Sequence, residues 1–213
     1  MLEKMCEFFE NRIDEYDEHM LTIECANEFY EFTAQCLPMQ SCHILDLGCG
    51  TGIELEYYFK RNPCANVTGI DLSKKMLDVC KSKFHDKNLC LIVGSYFDIE
   101  FNHNYDAIVS VESLHHYTKD EKILLYSKLW KTLKKDGYFI LTDYFSLSDD
   151  EEMMHQNNLM QLKEEQNIID FEVYHYDIPL TIQHEIEALL EAGFSSVEVL
   201  NQWGATFTLK ANN

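Results

Sequence analysis

Short apolar runs alternate with amphipathic stretches along this 213-residue chain, and that alternation predicts a parallel sheet covered on both faces by helices. Two helical stretches come first, at about residues 1–19 and 23–36. A first strand follows at 43–47, then a helix over 52–61 with Leu55, Tyr58 and Phe59 on one face. Residues 66–70 read as a second strand. Ser73 is placed to cap a helix that carries Met76, Leu77, Cys80 and Phe84 at helical spacing. The apolar run 89–93 reads as a buried third strand. Residues 105–111 read as a fourth strand, and 137–144 as a fifth. Between them Thr118 and Glu121 form a capping box that opens a helix running to Leu133. Ser148 and Glu151 repeat the capping-box pattern, so 149–166 is expected to be a helix inserted after strand five. A last helix over 182–192 stops at Gly193. Two final strands, 197–201 and 205–209, turn at Gly204. A plain dinucleotide-binding fold would instead end on parallel strands.

The strand 43–47 runs straight into Asp46-Leu-Gly-Cys-Gly-Thr-Gly52 and a helix. Glycines at such a turn let backbone approach a ligand without Cβ interference. The helix N-terminus adds free N–H groups and partial positive charge. The nicotinamide and flavin fingerprint is G-x-G-x-x-G, whereas this loop is G-x-G-x-G and position 53 is Ile. Asp71 lies 19 residues after Gly52, at the end of the second strand, where a carboxylate can accept both hydroxyls of a ribose.

Ile-Leu-Asp-Leu-Gly-Cys-Gly-Thr-Gly followed by Val-Thr-Gly-Ile-Asp-Leu-Ser resembles the first two motifs of class I S-adenosylmethionine-dependent methyltransferases, over about residues 42–145. The resemblance implies an α/β, Rossmann-like, mostly parallel seven-stranded sheet with an antiparallel last strand, helices on both faces and an N-terminal helical cap. It divides a single domain into a cap (1–40), a cofactor-binding core (42–145) and a tail of inserted helix and strand pair (146–213). It also implies S-adenosylmethionine as cofactor. Gly48, Cys49 and Gly50 would meet its methionine part through backbone, with Gly52 closing the loop. Asp46 would sit beneath, Asp71 would hold the ribose, and Leu72 and Met76 would flank the adenine. The family commonly has an acidic residue after strand three. Gly94-Ser95-Tyr96 stands there in this chain, with Ser95 able to accept the adenine amino group's hydrogen bond less strongly than a charged acceptor. Tyr16 is the expected contact from the cap.

After strand four the chain reads Ser110-Val-Glu-Ser-Leu-His-His-Tyr117. In related enzymes this segment passes the sulfonium, which makes Ser110 and Glu112 cofactor neighbours. His115 and His116 are the candidates for a catalytic base or for substrate orientation, His being suited to proton transfer near neutral pH. Packing of the loop is the competing reading. No Asn-Pro-Pro-Tyr or Asp-Pro-Pro-Tyr follows the strand, which disfavours methylation of the exocyclic amines of adenine or of glutamine. The aromatic, acidic segment 171–179, with Asp143 and Tyr144, is a candidate pocket for an apolar or cationic molecule.

Charge narrows the acceptor. The net charge is −20, and residues 136–213 carry 15 acidic residues against Lys163 and Lys210. Such a surface should repel nucleic acid and anionic lipid, leaving a small-molecule substrate. No apolar run approaches the roughly 20 residues of a membrane span, and the first residues lack the pattern of a secretion signal. A cytoplasmic location is the resulting expectation. Eight cysteines show neither C-x-x-C nor a cluster at metal spacing, so no metal is expected. Two other readings stay open, a protein methyltransferase and a non-catalytic sensor that binds the cofactor. A nicotinamide dehydrogenase is disfavoured by the loop spacing.

Overall fold

The computed structural model describes residues 1–39, 42–101, 104–170 and 172–213. Seven strands form one sheet: β1 (His43–Leu47), β2 (Asn66–Asp71), β3 (Asn88–Val93), β4 (Tyr105–Val111), β5 (Leu133–Tyr144), β6 (Ser196–Trp203) and β7 (Thr206–Asn212). Their order is β3-β2-β1-β4-β5-β7-β6. The pairs from β3 to β5 are parallel, and β7 runs antiparallel between β5 and β6. The expected α/β fold with an antiparallel last strand is the observed one.

Alternation along the strands sends successive side chains to opposite faces. Leu45, Ile108 and Phe139 join one core with Leu125, Tyr126 and Leu129 of α6 (Lys119–Thr132) and Ala188 and Leu189 of α8 (Ile182–Glu191). Their neighbours Ile44, Val109 and Ile140 join the other core. It contains Phe29 and Tyr30 of α3 (Ala26–Cys36), Leu55 and Tyr58 of α4 (Ile53–Arg61), and Cys80 of α5 (Lys74–Lys83). Both faces are therefore dry, which explains why β1 and β4 read as nearly unbroken apolar runs.

Three local expectations are corrected. The stretch 1–19 is two short helices, α1 (Met5–Glu10) and α2 (Tyr16–Met20). The break spans Asn11 to Glu15, where Asn and Asp side chains compete for backbone hydrogen bonds and weaken a helix. Ahead of α1, backbone pairing takes over: Met5 N–H donates to Val173 O at 2.8 Å, and His175 N–H to Glu3 O at 2.9 Å. Strand β3 is not buried; it is the sheet edge, with Val93 53% exposed. An apolar run cannot by itself tell a central strand from an edge covered on one face. Finally, Thr118 and Glu121 do form a reciprocal capping box, but Ser148 and Glu151 form only half of one. Ser148 Oγ accepts from Glu151 N–H, while the Glu151 carboxylate reaches past it to Leu147 N–H at 2.7 Å. The helix it opens, α7 (Asp149–Glu165), is largely exposed and is anchored by buried Glu152, which accepts from Thr181 N–H and pairs with His184.

Candidate active site

The glycine loop sits at the carboxyl ends of β1 and β2. Gly48, Gly50 and Gly52 have φ of +69°, +49° and +78°, the left-handed region that disfavours a side chain. Space adds a second constraint at Gly48, where a Cβ would lie 2.0 Å from Ser113 Oγ and 2.7 Å from Ser113 Cβ. Gly48 and Cys49 N–H groups donate to Ile70 O, at 2.8 and 3.1 Å. Asp71 then binds the loop to the next helix: Oδ2 accepts from Gly50 N–H at 2.9 Å and Oδ1 from Ser73 N–H at 2.7 Å. Each oxygen keeps a further lone pair for a ligand. Burial pushes the Asp71 carboxyl up to about 6, against the pull of these two amides.

A cleft opens over the loop. Of the residues expected to hold a cofactor, Tyr16, Gly48, Gly50, Asp71, Leu72, Met76, Tyr96 and Glu112 line it. Tyr16 covers Gly50, its hydroxyl 3.7 Å from where a Cβ would be. The other five residues do not reach the lining. Ser110 Oγ is buried and donates to Leu47 O, and Ser95 Oγ accepts from Phe97 N–H in its own turn. Cys49 points down against Gly69, and Gly52 packs on Phe84 and Cys80. Asp46 lies beneath the loop, 1% exposed, facing the buried carboxyl of Glu54. Burial raises both acids, Glu54 to about 7, so a proton is retained between them. Met5, Phe9, Ser113, His116 and Tyr117 complete the cleft; Met5 and Phe9 were not predicted, because nothing in local spacing shows what α1 folds onto.

Its roof is the cap. In α2, Asp17 accepts a hydrogen bond from Thr51 Oγ1 of the loop and pairs with Lys83 of α5. A second, larger cavity adjoins the first and shares Phe9, Tyr16, Glu112 and His116 with it. The predicted segment 171–179 contributes His175 and Asp177 here, while Phe171 lies outside the described residues. Tyr144 also lines this space; Asp143 is set behind it.

His115 and His116 are both buried, and their surroundings differ. Asp143, 1% exposed, accepts from Leu114 N–H at 2.9 Å and pairs with His115 Nδ1 at 2.5 Å. Burial opposes the charge on each, but their mutual attraction prevails: Asp143 is held below its usual value and His115 raised to about 9. Burial and the charge on His115 lower His116 to about 4. Glu112, at φ +48°, is pushed up to about 8 by burial and by Asp143. A non-glycine residue in that conformation costs energy that the surrounding structure must offset, a state that gathers at functional sites. The partner role of Asp143 was not legible in the sequence, being 28 residues from His115.

The glycine loop, Asp71 and the cleft above them form a candidate cofactor site at the carboxyl ends of the parallel strands. Residues 45–141 match a family described as a methyltransferase domain. Among similar curated proteins, a fatty-acid O-methyltransferase of Mycolicibacterium smegmatis is 29% identical over 54% of this chain and 42% of its own length. A carboxy-S-adenosyl-L-methionine synthase of Wolinella succinogenes is 29% identical over 84% of this chain and 80% of its own. The chain thus spans less than half of the first of these and four fifths of the second. The solved structure of a DhpI–SAH complex has the same fold, with a TM-score of 0.73 and 14% identity over 97% of this chain and 93% of that one. Residues 45–141 thus resemble a methyltransferase domain, and the described fold is that of the DhpI–SAH complex. Among the described residues no helix is long and apolar enough to cross a membrane.

Proposed function

We propose that this protein methylates an oxygen of a small molecule bound in the larger cavity. The observation that carries this reading is the common wall of the two cavities: Phe9, Tyr16, Glu112 and His116 line both. A donor in one and an acceptor in the other would meet there.

S-adenosylmethionine supplies an electrophilic methyl group on a positively charged sulfur. An acceptor oxygen would bond to that methyl carbon as the carbon–sulfur bond breaks, the electron pair staying on sulfur and any hydroxyl proton passing to solvent. Protein groups contribute chiefly alignment, worth on the order of 7–11 kcal/mol in favourable cases. Asp71, Leu72 and Met76 would hold the adenosine; the amides of Gly48, Cys49 and Gly50 being engaged within the protein, this loop would meet the methionine part by close backbone approach and its carbonyls. Tyr16 and Phe9 close the site from above and exclude water. His116 at the common wall and His115 behind it position the acceptor; Asp143 fixes the His115 ring by its bond to Nδ1. An oxygen acceptor accords with the name of the similar fatty-acid O-methyltransferase, and the acidic surface accords with a small substrate rather than a polyanion.

The test is label transfer from methyl-labelled cofactor to fractions of a metabolite extract, with products resolved by mass. A small product heavier by one methyl group supports the reading. Label only in protein, or a cofactor that itself gains mass, overturns it. In the same system Asp71→Ala should weaken binding of the demethylated product by about tenfold or more in calorimetry, equivalent to ~1.4 kcal/mol. Unchanged affinity would remove Asp71 from the ribose role.

A further inference from the structure

The larger cavity ends in a cluster that packing does not explain. His115 and His116 and the Asp177 carboxylate bring one ligand atom each within 4.8 Å of one another. Asp177 Oδ1 lies 3.1 Å from His116 Nδ1 and 3.7 Å from His115 Nε2. With bonds of about 2.0–2.2 Å to a first-row divalent ion, neighbouring ligand atoms stand roughly 3 to 3.6 Å apart. Asp177 Oδ1 is itself buried, and the two imidazoles are its ion-pair partners, no well-aligned hydrogen bond reaching it among the described residues. Two imidazoles converging on one carboxylate oxygen at these distances can share a proton or a metal ion.

The outer groups fit the same purpose. Asp143 accepts the Nδ1–H of His115, which turns Nε2 toward Asp177. A carboxylate behind a histidine is the usual support for an imidazole that binds metal through its other nitrogen. Glu112 and Asp143 form a second group around His115, so three carboxylates surround two imidazoles.

We infer that His115, His116 and Asp177 form a site for a divalent first-row metal ion such as Zn²⁺, Mn²⁺ or Co²⁺. Two imidazoles and one carboxylate suit these ions better than Mg²⁺, which prefers an all-oxygen shell. Three protein ligands leave at least one position open on the cavity side. An acceptor oxygen bound there would lose its proton more readily and lie beside the common wall. This role deepens the methyl-transfer reading above and rests on it; the metal site itself does not. It also departs from the sequence expectation of no metal, which rested on local spacing and could not see residues 61 and 62 positions apart.

The test is titration of untagged protein with Co²⁺, followed by visible absorption. One equivalent should bind with d–d bands and without the thiolate charge-transfer band that exposed Cys64 or Cys90 would give. Asp177→Asn and His116→Gln should each weaken binding by about tenfold or more. Asp177→Asn should leave affinity for the demethylated cofactor within about twofold, which shows that the fold is intact. No saturable Co²⁺ binding, or binding as tight in Asp177→Asn, overturns the site. Label transfer that persists undiminished in EDTA removes the metal from the reaction and leaves the methyl-transfer reading standing. Metal binding without any methylated acceptor does the reverse.

Discussion

At Gly48 two physical constraints coincide, a left-handed backbone and the near contact with Ser113. At Gly204 only the first applies, since φ is +57° and nothing lies within 4 Å of where a Cβ would be. Gly204→Ala should therefore cost about 1 kcal/mol in urea unfolding, the price of αL for a side chain. Gly48→Ala should cost about 2 kcal/mol more, because Ser113 Cβ cannot swing aside as a side-chain tip could. Equal losses would mean that Ser113 yields freely. The Asp46–Glu54 pair makes a pH prediction. Burial raises Glu54 to about 7 in the folded state, above the ordinary value near 4.5. The folded chain then holds a proton that the unfolded chain has released, so stability falls as pH rises from about 4.5 to about 7, then levels. Replacement by glutamine removes Glu54's share of this slope, while buried Asp46 keeps its own. The stability of Glu54→Gln relative to the parent should rise by on the order of 2 kcal/mol between pH 5 and pH 7.5. A pH-independent difference would show that Glu54 is ionised throughout.

Among the elements, α2 is the one whose placement depends most on a single side chain. It has five residues, none of them buried, and a helix this short is not stable alone. Asp17 fastens it to Thr51 and Lys83, and so carries Tyr16 over Gly50. Asp17→Ala should raise amide hydrogen exchange across residues 11–20 while β1 and β4 stay protected, and should lower cofactor affinity several-fold. Uniformly increased exchange would instead mark a global loss of stability. Helices α4 to α6 were legible from apolar spacing and caps, and β1, β2 and β4 from their apolar runs. The break between α1 and α2 was not, because it depends on pairing of residues 3–5 with 173–175.

Over the whole molecule, the charge of −20 is a repulsion that folding compresses into a smaller volume. Salt screens it, with a Debye length near 10 Å at 0.1 M and about 3 Å at 1 M. The melting temperature should rise by a few degrees between 0.05 and 0.5 M NaCl. A fall would mean that ion pairs such as Lys83 with Asp17 and Glu56 outweigh the net repulsion.

The order of strands and helices, the glycine loop and Asp71 were determined by the sequence, since each depends on residues near one another in the chain. Periodicity records which face is buried, and a tight turn records its glycines. The division of the site into two cavities, and the meeting of His115 with Asp143 and Asp177, belonged to the tertiary structure alone. Those contacts join chain segments 28 and more residues apart, and they arise only when the sheet brings the ends of β4 and β5 together and the 173–180 segment folds back across them. Donor chemistry is therefore written locally along the chain. Acceptor chemistry is set by what the fold places side by side.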